Sequence, residues 1–225
     1  MNKILPTALF LCAIMTAHTA PAAEPAISTY TEQSSALSVK ATWQRFGLAL
    51  PDKESDDLVR NFVDEFRTSA EQEQEERKSD PSLPSLPFEM VLEGNISGNG
   101  RVSGILWNAY EYTGGAHGSL LVFAKNYANG KVVGLNDLFQ KPEKALALMS
   151  ELSRKKLLEQ DLPKDMVEAG TTPEKDNFNT FLLEKDGLTL YFNPYQVGPW
   201  AAGVITVKLT LKELAAAGPD MSFWN

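Results

Sequence analysis

The stretch Tyr110–Leu120, YEYTGGAHGSL, holds the residues best placed to do chemistry. His117 is the only histidine outside the N-terminal leader, and imidazole suits proton transfer near neutral pH. A hydrolytic use would pair His117 with a nearby carboxylate such as Glu111, and a triad would add Ser119. Alternation along a strand does not by itself bring the three together, and GAHGS is not the strained G-x-S-x-G turn that presents a nucleophile. The glycines do not form a phosphate loop either, because the lysine and the following helix of such a loop are missing. They mark a turn that needs positive φ or a close backbone approach. There is no HExxH or paired DxD motif, and a single histidine gives zinc only an acid-rich shell. No catalytic residue, metal site or cofactor is assigned.

A second unusual loop, Tyr195–Gly203 (YQVGPWAAG), lies far downstream. Gly198 and Pro199 set its backbone, and Ala201, Ala202 and Gly203 permit close packing. Tyr110, Tyr112, Tyr195 and Trp200 carry flat, partly apolar faces that suit sugar rings, although strand aromatics also serve as core and cross-strand pairs. The expected binding surface draws on Tyr110, Tyr112, Thr113, Gly114, Gly115 and His117 from the first loop. Tyr195, Pro199 and Trp200 form its second wall.

The elements that must position these loops follow from periodicity. Glu24–Ser35 is polar and reads as a tail. Leu37, Val39, Ala41 and Trp43 alternate with polar residues, which marks a half-buried strand. Ser55 reads as the cap of a helix to about Lys78, with Leu58, Val59, Phe62, Val63 and Phe66 on one face. Its polar end, Glu71–Lys78, is expected to project into solvent. Asp80–Pro87 (DPSLPSLP) is an extended connector. Strands are expected from Phe88, over Arg101–Tyr112, over Ser119–Tyr127 and, after the Asn129-Gly130 turn, over Lys131–Leu135. Pro142–Gln160 is a second helix, and Asp161–Asp176 holds at most a short helical turn. Phe178–Glu184, Leu188–Asn193 and Val204–Leu209 are strands, and Leu211–Ala217 is a closing turn. Strands and helices do not alternate as in a parallel α/β protein. The fold class is α+β, a mostly antiparallel sheet packed on two main helices.

The N-terminus has the layout of a secretory signal peptide. Lys3 precedes the apolar run Ile4–Met15, and small residues follow, with cleavage after Ala22 or Ala23. Cys12 sits in the apolar run, but Leu11 stands before it where a lipoprotein signal needs a small residue. Cleavage leaves no cysteine, so the mature chain has neither a disulfide nor a thiol nucleophile. The chain is expected to be periplasmic or secreted, with no stable membrane insertion after cleavage. Apolar and charged contents of 43% and 22% are those of a globular protein, so disorder is not the default. The formal charge of −8 becomes −9 when the leader takes Lys3 away. That charge disfavours nucleic acid and anionic membranes, and it suits a basic protein partner. Residues 1–22 are thus read as leader and 23–87 as a strand–helix region with its connector. Residues 88–225 are read as the α+β domain proper, forming one compact unit with 36–87.

Taken together, YTGGAHG, the GLNDLF segment after the Asn-Gly turn, the F-x-L-x-x-D-G-L-x-L-x-F hairpin and YQVGPWAAG form a pattern over roughly Trp107–Leu214. It resembles the extracytoplasmic domain of RsiV-like anti-sigma factors and of PdaC-like peptidoglycan deacetylases. The resemblance implies an α+β domain at the cell envelope without catalysis of its own. In the RsiV-like proteins it implies a lysozyme sensor, which agrees with an acidic surface meeting a basic partner. Neither a sigma-binding segment nor a deacetylase domain is expected within these residues, so signalling and deacetylation are not expected to carry over. The expectation is a non-catalytic periplasmic binding protein recognising a lysozyme-like muramidase or a cell-wall glycan. The alternative is a cell-wall hydrolase using His117 with Glu111.

Overall fold

Alternating burial builds the first half of the molecule. The computed structural model describes residues 25–78, 88–114 and 116–224. The segment read as a leader with its expected cleavage site, the expected connector Asp80–Pro87 and Gly115 lie outside them. Strand β1 (Ile27–Gln33) is followed by β2 (Leu37–Gln44), which buries Leu37, Val39, Ala41 and Trp43 on one face. β3 (Phe88–Gly98) buries Phe88, Met90 and Leu92, and β4 (Ser103–Tyr112) buries Ile105, Trp107 and Ala109. Helix α1 (Ala49–Lys78) brings Val59, Val63, Phe66 and Ala70 into the same core. β5 (Ser119–Ala128) turns into β6 (Lys131–Val133) through Asn129 and Gly130, at φ of 51° and 72°. The six strands lie in the order β1-β2-β3-β4-β5-β6. All neighbours are antiparallel except β2 and β3, which run parallel with α1 as their crossover.

Three expectations are corrected in this half. The polar segment read as a tail contains β1, whose Thr29, Tyr30 and Thr31 favour a strand without apolar alternation. Tyr30 alone of its half-buried residues packs on the apolar core, and the rest of the contact is polar: Tyr30 donates to Glu32 at 2.6 Å, and Arg67 of α1 donates to Glu32 at 2.6 Å. Ser55 is no cap. The helix starts six residues earlier, because Pro51 is tolerated in a first turn, and the buried Ser55 hydroxyl donates to the Pro51 carbonyl at 2.9 Å. The end of α1 is not simply solvated, since Gln74 donates to Ala36 O at 2.8 Å and Arg77 reaches Thr113 O.

The second half has its own core. α2 (Pro142–Leu158), α3 (Lys164–Gly170), β7 (Phe181–Glu184), β8 (Gly187–Phe192) and β9 (Ile205–Thr210) surround Met149, Leu157, Phe178, Leu188 and Phe192. The fold is α+β as expected, but its strands form two sheets, the second being antiparallel β7-β8-β9. β7 lies across β3, β4 and β5, and α2 packs against β9. The polar stretch before β7 holds α3, a seven-residue helix anchored by the fully buried Val167.

One side chain joins the sheets where the first would otherwise end in an open edge. β6 pairs only with residues 126–128 of β5, so Val122 keeps a free edge. The Asn193 carboxamide fills it as a strand would, accepting from Val122 N–H at 2.6 Å and donating to Val122 O at 3.0 Å. Deeper in, Asn126 donates to Phe181 O at 2.8 Å. These links set the end of β8 beside the end of β4.

Candidate functional site

The β4–β5 loop is held from beneath by α1. The Arg77 guanidinium donates to Thr113 O at 3.0 Å and sits 5.2 Å from the centroid of the Phe88 ring. Gly114 turns at φ 87° directly against that guanidinium. Gly118 is buried against Tyr110, and a Cβ there would overlap the tyrosine ring. Beyond these turns Glu111 and Ser119 face each other as cross-strand partners.

The β8–β9 loop is folded on itself. Gln196 N–H bonds Asn193 O at 3.0 Å and Tyr195 N–H bonds Gly198 O at 3.0 Å, while Val197 is fully buried. The Gln196 side chain ties the loop to the body, accepting from Asn193 N–H and donating to Asn177 O. Tyr195 adopts φ 69° and is 59% exposed. A bulky residue at positive φ costs about 1–3 kcal/mol, and such strain collects at binding sites. Pro199 opens the short 3-10 turn Trp200–Ala202 that presents the indole.

The two loops meet. The His117 ring stacks on Trp200 with centroids 4.6 Å apart and planes 28° apart. His117 Nδ1 lies 2.8 Å from Gly118 O, which can only accept, so the neutral ring carries its proton on Nδ1. Nε2 then accepts from the Tyr195 hydroxyl at 3.5 Å. The Trp200 indole N–H is buried with no acceptor among the described residues. Together they bound a cavity of about 270 Å³ lined by Glu111, Thr113, His117, Gly118, Ser119, Leu120, Pro194, Tyr195 and Trp200. Burial, and secondarily the charge of Glu65 on α1, raises the Glu111 carboxyl above its ordinary range.

Of the residues the sequence singled out, Thr113, His117, Tyr195 and Trp200 line this cavity. Tyr110 stands behind it as the ring on which Gly118 rests, and Gly114 serves the loop through Arg77. Pro199 is exposed and shapes the turn under Trp200. Tyr112 ends β4 away from the lining, paired with Glu89. Glu111 reaches the cavity, yet the two nitrogens of His117 are engaged by Gly118 and Tyr195. Arg77 and Asn193 were missed. Arg77 carried no signal, lying in a wholly polar helix end, whereas Asn193-Pro194 is a turn dipeptide after a strand. Among the described residues no group of three or more His, Cys, Asp or Glu side chains could hold a metal.

The fold has known relatives. Residues 136–212 match a protein family described as a protein of unknown function, DUF3298. That stretch contains the Tyr195–Gly203 loop but not the His117 loop. Over 106 residues the chain is 34% identical to the peptidoglycan-N-acetylmuramic acid deacetylase PdaC of Bacillus subtilis, a match covering 45% of this chain and 22% of that enzyme. The match thus spans about a fifth of the enzyme's length. Among solved structures, a DUF3298 family member from Bacteroides fragilis superposes with a TM-score of 0.56 at 19% identity, covering 86% of this chain and 93% of that one. A DUF3298 family protein from Pseudomonas aeruginosa gives 0.57 at 16% identity, covering 89% and 97%. These two share the fold.

Proposed function

We propose that this chain is a non-catalytic binding domain of the cell envelope that takes a peptidoglycan fragment into the cavity between its two loops. The observation that carries the reading is the convergence of Tyr195, His117 and Trp200 on one open cavity, with the tyrosine held at positive φ. Aromatic faces with a few fixed polar groups are what a sugar ring needs. The relationship to a peptidoglycan deacetylase supports a cell-wall ligand. An extracytoplasmic location fits the leader, and the mature N-terminus, at Ala23 or Glu24, is read by mass spectrometry of the exported protein. His117 serves here as a stacking and hydrogen-bonding wall rather than as a base.

Calorimetric titration with purified muropeptides tests this. Binding is expected at micromolar to millimolar affinity, with Trp200→Ala weakening it at least about 10-fold. The same titration run as a turnover assay addresses the hydrolase reading, under which His117→Ala would abolish product formation. A second reading is favoured by the formal charge of −8: a basic muramidase such as lysozyme as protein partner. Lysozyme is the second titrant. Affinity for lysozyme that falls steeply with salt and ignores Trp200→Ala would move the site off the cavity.

A further inference from the structure

One charged group in the cavity has no counterpart. The Glu111 carboxylate forms no hydrogen bond or ion pair among the described residues. Among the described residues no lysine or arginine lines the cavity, and Glu65 adds a second negative charge from α1. Elsewhere in the molecule half-buried carboxylates are met by cations, as Glu54 is by Lys125 at 2.8 Å and Glu213 by Lys156 at 2.8 Å. Glu111 is therefore a half-buried acceptor of charge left unpaired beside Trp200 and Tyr195. An aromatic wall with an adjoining carboxylate is the chemistry that binds an ammonium group, through the ring quadrupole on one side and a charge-assisted hydrogen bond on the other.

We propose that the cavity selects amino sugars whose nitrogen is free, with Glu111 as the counter-ion of the ammonium and Trp200 and Tyr195 as the aromatic walls. This rests on the glycan-binding reading above and names which glycan is preferred. Ser119, the cross-strand partner of Glu111, offers a second acceptor on the same rim. An N-acetylated sugar presents a neutral amide to the same carboxylate and leaves its charge uncompensated. A bound ammonium also relieves the burial cost and the Glu65 repulsion that now weigh on Glu111.

The test compares two oligomers of equal length, the glucosamine tetramer and its fully N-acetylated form, titrated into the mature protein and into Glu111→Gln at physiological ionic strength. The amine form is expected to bind about 10-fold more tightly to the unsubstituted protein. In Glu111→Gln that preference should collapse, with the N-acetylated oligomer keeping its affinity within about 2-fold. Equal binding of the two oligomers overturns the inference and leaves glycan binding standing. A preference that survives in Glu111→Gln also overturns it, because the acidic surface as a whole is then its source. If neither oligomer binds, or if Trp200→Ala leaves both affinities unchanged, the glycan-binding reading falls, and this inference with it. Thermal unfolding of Glu111→Gln checks that the variant is folded, and Glu65→Gln, outside the lining, should reduce the preference by a smaller factor.

Discussion

The loop cavity and the groove between β1, β2 and α1 are of similar size and opposite character. The groove, about 320 Å³, is lined by Trp43, Val59 and Val63 below and by Asp56, Arg60, Asp64 and Arg67 around its rim. Every rim charge there is paired. Asp56 meets Arg45, Arg60 meets Asp57 at 3.1 Å, and Arg67 meets both Asp64 at 2.7 Å and Glu32 at 2.6 Å. Of these, the Arg67–Glu32 pair fastens β1 to α1, beside Tyr30, which packs on the apolar core. Each region holds one indole N–H without an acceptor among the described residues, Trp43 in the groove and Trp200 in the cavity, but the smaller loop cavity also keeps an unpaired carboxylate and a strained tyrosine. Volume does not separate a ligand site from a structural groove. Under the binding reading proposed above an unpaired charge does, because an unspent interaction of that strength remains for a ligand to satisfy.

The largest expected effect comes from the side chain that joins the two sheets beside the cavity. Asn193→Ala removes both bonds to Val122, leaving its N–H unmet and its C=O with only the 3.5 Å bond from the Thr180 hydroxyl, a cost of about 1–3 kcal/mol. Urea unfolding should show the loss. Muropeptide affinity should fall with it, because Asn193 also begins the turn that carries Tyr195. A stable Asn193→Ala protein with normal binding would mean that the loops hold each other without help from the sheets. Next comes the groove. Arg67→Ala strips Glu32, Asp64 and Tyr30 of their shared partner and should cost about 1–2 kcal/mol. It should leave ligand affinity untouched. Weaker binding in that variant would show that the groove contributes to recognition and would erase the contrast drawn here.

The contrast also explains what was legible in the sequence. Strands that bury one face announced themselves by alternation, as Leu37–Trp43 and Phe88–Leu92 do. The Asn129-Gly130 turn was readable because its residue types tolerate the required φ. The two loops were readable because glycine and aromatic residues crowd where backbone and ring must approach, and they do meet. β1 was missed because its inward positions are Ser28, Tyr30 and Glu32, of which only Tyr30 packs on the core while Glu32 pairs with Arg67, which leaves no hydrophobic period. Arg77 and Asn193 act across 36 and 71 residues of sequence, and single polar side chains at such separations leave no local pattern. The division into two sheets was hidden for a related reason. β8 is buried on both faces, so its sequence shows burial without showing against what.

The smallest effect is one of sign, and it sets the two regions against each other by pH. Glu32 in the groove is held below the usual carboxylate range, chiefly by its hydrogen bond to Arg67 and then by that from Tyr30. A depressed folded pKa contributes stability that is present above the unfolded value and is lost as pH falls through the folded one. Glu111 in the cavity is displaced the other way, by burial and then by Glu65, with His117 and Tyr195 as the other titratable groups of the lining. For Glu111 the unfolded chain gives up its proton first. Stability is therefore lost as pH rises from the ordinary carboxylate value through the raised one, and above that window the folded state carries an uncompensated charge. Unfolding free energies measured across the acid range should thus respond oppositely to two isosteric changes. Glu32→Gln should lower stability at neutral pH and flatten the acid limb. Glu111→Gln should raise stability at neutral pH and remove the loss on the way up from acid. Glucosamine tetramer added to the unsubstituted protein should mimic Glu111→Gln, because a bound ammonium supplies the charge that the cavity lacks. If Glu111→Gln instead destabilises the protein at neutral pH, the carboxylate already has a favourable role in the folded chain, and the cavity and the groove do not differ in the way proposed.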